Sequence, residues 1–421
     1  MFQEDGSSSV TSSSPQMFPM MSLPPSLISP YPWLKQLKPE ERGLYLIHLL
    51  VTCANHVASG GLENANTALD QISYLASPQG DTMQRIASYF AEALADRVLR
   101  AWPGVYKAFH STKIPVFAEQ ILVKKLFSEH LLFTKIASVI SNQSIVESME
   151  GEKVVHVIDL NATEPMQWRA LIRDLSARPE GPPHLRITGI HQKKEVLDHM
   201  AHVLTDEAEK LDLPFQFNPI ISKLENLDFD KLRVKTGEAL AISSIMQFHT
   251  LLASDDDNNK KSPWSNIDVF LSVLWGLSPK VVVVTEQESD HNGPGLTERL
   301  SEALYYYAAL FDCLESTLPR SSSQRLRMEK ALLGEEIKNI IACEGAERRE
   351  RHEKMERWGR RFESAGFGNV GLSYYGMLQA KRLVQSYGKC EGYRIREENG
   401  CVVICWQDRP ILSVSAWRFR R

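Results

Sequence analysis

Val154-Val-His-Val-Ile-Asp159 is a short β-branched run that ends in an acid, and the period of the chain changes there. Before it, apolar residues recur at helical spacing. After it, strand-like runs alternate with helical ones: Leu185-Arg-Ile-Thr-Gly-Ile190, Phe215 to Ile221, Ala239 to Ile245 and Lys280-Val-Val-Val-Val-Thr285. Helical patterns over 167–177 and about 194–211 separate the first of these. Such alternation predicts a mainly parallel sheet covered by helices and linked by right-handed crossovers. The C-terminus departs from it. Tyr393 to Trp406 reads as two strands joined by Asn399-Gly400, a type I′ hairpin signal, and Ile411 to Trp417 adds one more strand. A parallel α/β sheet closed by an antiparallel hairpin is the layout of a Rossmann-like, class I methyltransferase-like fold.

Upstream of Val154 the pattern is all-α. Leu44 to Val57 is apolar nearly all round, with His48, Thr52, Asn55 and Ser59 as a narrow polar stripe, so this helix is expected to be buried on most sides. Asp81-Thr-Met-Gln84 is a capping box opening a helix over 86–102, and Pro103-Gly104 reads as its stop. One or two further helices are expected within 119–149. Residues 1–30 hold nine Ser and five Pro with scattered, aperiodic apolar residues, a composition that cannot bury enough surface to offset chain entropy. The expected organisation is a disordered tail over 1–36, an α-helical cap over 37–150, and the α/β core over 151–421.

Bulk composition narrows the function. Of 421 residues, 43% are hydrophobic, ample for a large core, and the net charge is −4. Binding to a phosphate backbone draws on Lys and Arg neutralising phosphates, so strong direct DNA binding is not expected. No apolar run is long enough for a membrane span, and six scattered cysteines show no pairing rhythm. A reduced, soluble, intracellular protein is the expectation.

A cofactor in this fold lies beyond the carboxyl end of the first strand, where glycines admit it and an acid after the second strand holds its ribose. Here Asp159-Leu-Asn-Ala-Thr-Glu-Pro-Met-Gln-Trp168 contains no glycine, and no acid follows the second strand until Glu195. No bound cofactor is expected. A crevice could still persist, lined by Asp159, Asn161, Gln167 and His191. A small-molecule site, or a vestigial S-adenosylmethionine-type methyltransferase domain, is therefore the alternative reading. His199 and His202 share a helix face without further ligands in pattern, so no metal site is expected, and no catalytic motif occurs.

Two segments invite an interaction reading. Leu46, Leu49 and Leu50 match an L-x-x-L-L helix of the kind that docks in grooves, although an all-round apolar helix favours core packing. Arg348, Arg349 and Arg351 lie in the charged run 347–361, whose interleaved acids and bases suit a solvated, salt-bridged helix more than a nucleic-acid patch.

These segments together resemble the GRAS family, from about Glu40 to the last residue. The family's VHIID motif stands as Val155-His-Val-Ile-Asp159, followed by Gln167-Trp168. Pro214-Phe215 and Arg348-Arg-Glu-Arg-His-Glu353 resemble its PFYRE region, and Ser415-Ala-Trp417 its SAW motif. Glu40 to Leu50 and Arg178 to Thr188 are similar in wording to the scarecrow-like three subgroup. Asp255 to Ser262 departs from it where a longer insertion is expected, so that loop is either natural to this member or trimmed. The resemblance implies a nuclear transcriptional co-regulator, not an enzyme, acting through protein–protein interaction in gibberellin signalling and root development. It implies homo- or heterodimers with other GRAS proteins, DELLA or scarecrow-like, and access to DNA through indeterminate-domain C2H2 zinc-finger transcription factors.

Overall fold

The computed structural model describes residues 31–111, 117–256, 266–388 and 391–420. The Ser/Pro-rich residues 1–30 and most of the 255–262 segment lie outside these. Within the span expected to be disordered, residues 32–36 instead form a 3-10 turn, Pro32–Gln36, and Leu34 is buried.

Six helices come first: α1 (Pro39–Ala58), α2 (Leu62–Leu75), α3 (Thr82–Arg100), α4 (Pro103–His110), α5 (Phe117–His130) and α6 (Phe133–Ser148). The capping box forms as read, with Gln84 N–H donating to Asp81 Oδ1 and Asp81 N–H to Gln84 Oε1. Pro103 does not simply stop α3. It opens α4, where its missing N–H costs nothing. Helix α1 is less enclosed than its composition implied: Leu46, Leu49 and Leu50 are buried against its neighbours, but Leu44 is 71% exposed.

From β1 (Val154–Asp159) the alternation appears as expected: α7 (Met166–Ser176), β2 (His184–His191), α8 (Lys194–Lys210), β3 (Phe215–Ile221), β4 (Ala239–Ile245), α9 (Asn266–Gly276) and β5 (Val281–Gln287). Three helices follow, α10 (Leu296–Thr317), α11 (Ser323–Met328) and α12 (Glu335–Ala342), with one π turn over Glu329–Gly334. Then come α13 (Met355–Ser364), β6 (Phe367–Val370), α14 (Tyr374–Ser386), β7 (Tyr393–Glu398), β8 (Cys401–Trp406) and β9 (Arg409–Phe419). The sheet order is β3-β2-β1-β4-β5-β9-β8-β7. Strands β1 to β5 run parallel, and β9 enters antiparallel to β5. Asn399 and Gly400 both take positive φ, 52° and 75°, as a type I′ turn requires. The short β6, paired with β9, was not foreseen; four residues give too little period to detect.

The sheet separates two apolar clusters. In β5, Val281 and Val283 pack on the side that holds α1 to α3 and α10, while Val282 and Val284 face Phe248, Phe270, Trp358 and Trp417. The helical layer is not contiguous in sequence. Arg85 of α3, wholly buried, pairs with Glu329 at 3.1 Å and Glu315 at 2.8 Å, and Arg97 donates to Ile341 O of α12 at 3.0 Å. N-terminal helices and the α10–α12 segment thus form one layer over the sheet.

Candidate functional site

In open α/β sheets ligands bind beyond the carboxyl ends of the strands, at the point where strand order reverses. Here that point lies between β1 and β4, and the chain leaving β1 occupies it. Leu160 N–H donates to Ser243 O at 2.9 Å, Asn161 N–H to Asp159 Oδ1 at 3.0 Å, and Ala162 N–H to Ile190 O at 3.0 Å. Three successive backbone donors, the groups that would otherwise face a ligand, are spent on tying the loop to the sheet. Gly189 on β2 offers no opening: a Cβ there would sit 2.7 Å from Phe217 Cζ and 3.0 Å from Ala162 Cβ.

The four crevice residues divide. Asp159 is buried, its Oδ2 accepting from Trp168 Nε1 at 2.6 Å. Burial pushes its carboxyl up to about 6, only partly offset by the Asn161 N–H and the indole. Gln167 is buried and exchanges two bonds with Asn142 on α6, through Nε2 to Oδ1 (3.2 Å) and through its own carbonyl (2.8 Å). Both side chains serve the packing of α7. Asn161, whose Nδ2 donates to Ile245 O at 2.9 Å, and His191 do line an open cavity, together with Lys124, Glu164 and Gln247. Burial holds His191 below the usual histidine range. The cavity volume is about 170 Å³, on the scale that accepts one benzene-sized ring and short of the ~300–1,000 Å³ typical of cofactor sites.

The charged run differs from the helix read from its interleaving. Only Met355 onward is helical; residues 348–354 form an irregular strap. The physical reason is that its cations are held mainly by groups outside the run, backbone carbonyls and carboxylates alike, such as Glu344 for Arg348 at 3.4 Å. Arg348, buried, donates to His291 O and Gly293 O, both at 3.2 Å, and Arg351, also buried, to Arg348 O, Gly345 O and Asn292 Oδ1. Arg349 reaches outward and grips Glu225 at 3.0 Å. Leu46, Leu49 and Leu50 lie in the core, so the L-x-x-L-L face is not presented to solvent in this conformation. None of these six candidates is among the residues that line the cavity, although Arg349 holds Glu225, next to the lining residue Leu224.

Exposed apolar side chains occur elsewhere. Helix α4 buries none of its residues, and Trp102, Val105 and Phe109 at its start and along one face are 47%, 54% and 60% exposed. Spacing of three and four residues puts them side by side. Sequence pattern did not single these out, because an eight-residue helix with apolar spacing looks like any core segment.

The GRAS domain family profile matches residues 46–418 of this chain. The chain belongs to the GRAS family. It is 57% identical to Scarecrow-like protein 3 of Arabidopsis thaliana, covering 100% of this chain and 99% of that one. That alignment runs over 480 positions, so the Arabidopsis protein holds residues this GRAS chain lacks. Against the DELLA protein GAI1 of Vitis vinifera the identity is 37%, over 90% of this chain and 62% of the longer relative. The crystal structure of SCL7 from Oryza sativa superposes with a TM-score of 0.78 at 30% identity, over 89% of this chain and 99% of that one. These relatives carry the names of GRAS regulators, not of enzymes. No described helix of this GRAS domain is long and apolar enough to cross a membrane.

Proposed function

We propose that this GRAS protein is a nuclear transcriptional co-regulator that works by holding other proteins, with no catalytic step of its own. The observation that carries the reading is the closed loop after β1, whose backbone donors at Leu160, Asn161 and Ala162 are all consumed internally. With that position filled, the exposed apolar face of α4 is the feature best suited to a partner, since contiguous exposed apolar surface marks interaction sites. The net charge of −4 favours arrival at DNA through another protein. The partners proposed are other GRAS proteins, scarecrow-like or DELLA, and indeterminate-domain C2H2 zinc-finger factors, in gibberellin signalling and root development.

The test combines the full chain, such a zinc-finger protein and duplex DNA carrying the zinc-finger site, at physiological salt. The chain is expected to join the DNA only when the zinc-finger protein is present. Tight, sequence-specific binding of the naked duplex by the chain alone overturns the proposal.

The cavity holding Asn161 and His191 favours a second reading, a small-molecule site. Native mass spectrometry of the purified protein distinguishes it: a mass retained on gentle ionisation and lost on denaturation supports a ligand. A melting shift with S-adenosylmethionine supports the vestigial methyltransferase form of this reading, and no shift with no retained mass counts against both.

A further inference from the structure

At the carboxyl ends of β4 and β5, on the other side of the strand-order reversal, three donor atoms of His249, Glu350 and His352 lie within 4.8 Å of one another. His249 follows β4, and Glu350 and His352 belong to the irregular strap after α12. The two histidines are essentially buried, and the Glu350 side chain is 25% exposed, which leaves a way in for an ion. Glu350 Oε2 stands 3.2 Å from His249 Nε2 and 3.2 Å from His352 Nε2. Ligand atoms at the corners of a tetrahedral zinc site, with bonds of about 2.0–2.1 Å, are themselves about 3.3 Å apart.

The second nitrogen of each ring is already held, as metal-bound histidines are. His249 Nδ1 lies 2.8 Å from Glu286 Oε2, and that carboxylate is fixed in turn by the N–H groups of Gln247 and Phe248. His352 Nδ1 lies 2.9 Å from His291 Nδ1. His291 Nε2 in turn lies 2.9 Å from the Ser289 hydroxyl, which donates to Glu302 Oε1 at 3.3 Å. His352 Nε2 is buried and makes no hydrogen bond, although Glu350 Oε2 lies 3.2 Å away. A buried polar atom left without a partner beside two further donor atoms is what an ion between the three would satisfy.

We propose that His249, Glu350 and His352 bind one zinc ion, which pins the 348–354 strap to the ends of β4 and β5. Imidazole and carboxylate donors in this proportion suit zinc, and the fourth corner goes to solvent. Among the described residues this is the one grouping of three such ligands.

Zinc content of the full chain, purified through a histidine-free tag and measured by plasma mass spectrometry, is expected to be about one ion per chain. A chelator should lower the melting temperature by several degrees and added zinc restore it, a readout that needs no variant to fold. His352→Ala and Glu350→Gln should lose the ion, while His202→Ala, on the exposed face of α8, should keep it. Glu286→Gln, which touches the zinc only through His249, should weaken affinity about 10–100-fold in competition with a chromogenic chelator. Protein that carries no zinc, takes up none and shows no zinc-dependent melting overturns the proposal. Zinc lost on substituting His202, or retained by a folded His352→Ala, places the ion elsewhere and overturns it equally.

Discussion

Asp159 and Trp168, nine residues apart, are joined by a 2.6 Å hydrogen bond in which the buried indole Nε1–H donates to the carboxylate Oδ2. The last residue of β1 is thereby fixed to the first turn of α7, and the loop between them is held closed over the position where a nucleotide would lie. The acid of the VHIID motif and the tryptophan that follows it act as a single structural clasp.

Trp168→Phe keeps most of the buried ring and removes the donor. A charge-assisted hydrogen bond lost in the interior costs on the order of 1.5–3 kcal/mol. The urea midpoint is expected to fall by that equivalent with the slope of the transition unchanged. An unchanged midpoint would show that the clasp contributes nothing.

The same carboxylate sets a pH dependence. Its folded pKa, about 6, lies above the ordinary 3.8 because burial penalises the charge. A raised pKa means that stability is fully present below about pH 3.8 and is lost as pH rises through about 6. Relative to Asp159→Asn, which has no such titration, the wild type should lose on the order of 2–3 kcal/mol between pH 4 and pH 7. Denaturant melts of the pair across that window test the sign.

Gly189→Ala asks whether the crevice can be reopened by small changes. Its Cβ would meet Phe217 Cζ at 2.7 Å and Ala162 Cβ at 3.0 Å, and neither is the loose end of a long side chain. Overpacking of this kind costs roughly 1–3 kcal/mol. Thermal melts of the variant should show a loss of that order; wild-type stability would mean that the loop after β1 yields easily.

Phe109→Asp separates interaction from folding. The side chain is 60% exposed, so stability should change by less than about 0.5 kcal/mol. Capture of a GRAS or zinc-finger partner in a pull-down should fall at least tenfold if α4 is the docking face. Unchanged capture moves the docking face elsewhere.

Arg85→Met removes the cation that joins α3 to Glu315 and Glu329. Glu329, itself buried, is left beside Arg325 alone, 3.5 Å away. Breaking a buried pair from one side costs about 3–5 kcal/mol. If α1–α3 and α10–α12 are one cooperative layer, tryptophan fluorescence and circular dichroism should shift together; separate transitions would show two layers.

Much of the architecture was legible because strand and helix periods are local properties. β1 and β5 stood out as valine-rich, β-branched runs and β2 to β4 as short strand-like runs between helical or turn segments, and Asn399-Gly400 announced its hairpin by the positive φ that few other residue pairs accept. The absence of glycine after Asp159 likewise foretold a loop unsuited to a phosphate. The charged strap misled for the opposite reason: interleaved Glu and Arg satisfy a helical rule, yet Arg348 and Arg351 are claimed by carbonyls more than fifty residues away in one case and by a tight local fold in the other.

The sequence by itself determined the order of elements, the closing hairpin and the missing cofactor fingerprint, since these follow from spacing along the chain. Tertiary structure alone decided that α10–α12 complete the N-terminal helical layer, that Asp159 and Gln167 are spent on packing, and that His249, Glu286, Glu350 and His352 converge. Those outcomes depend on buried charges finding partners across long stretches of chain, an energy that no local pattern records.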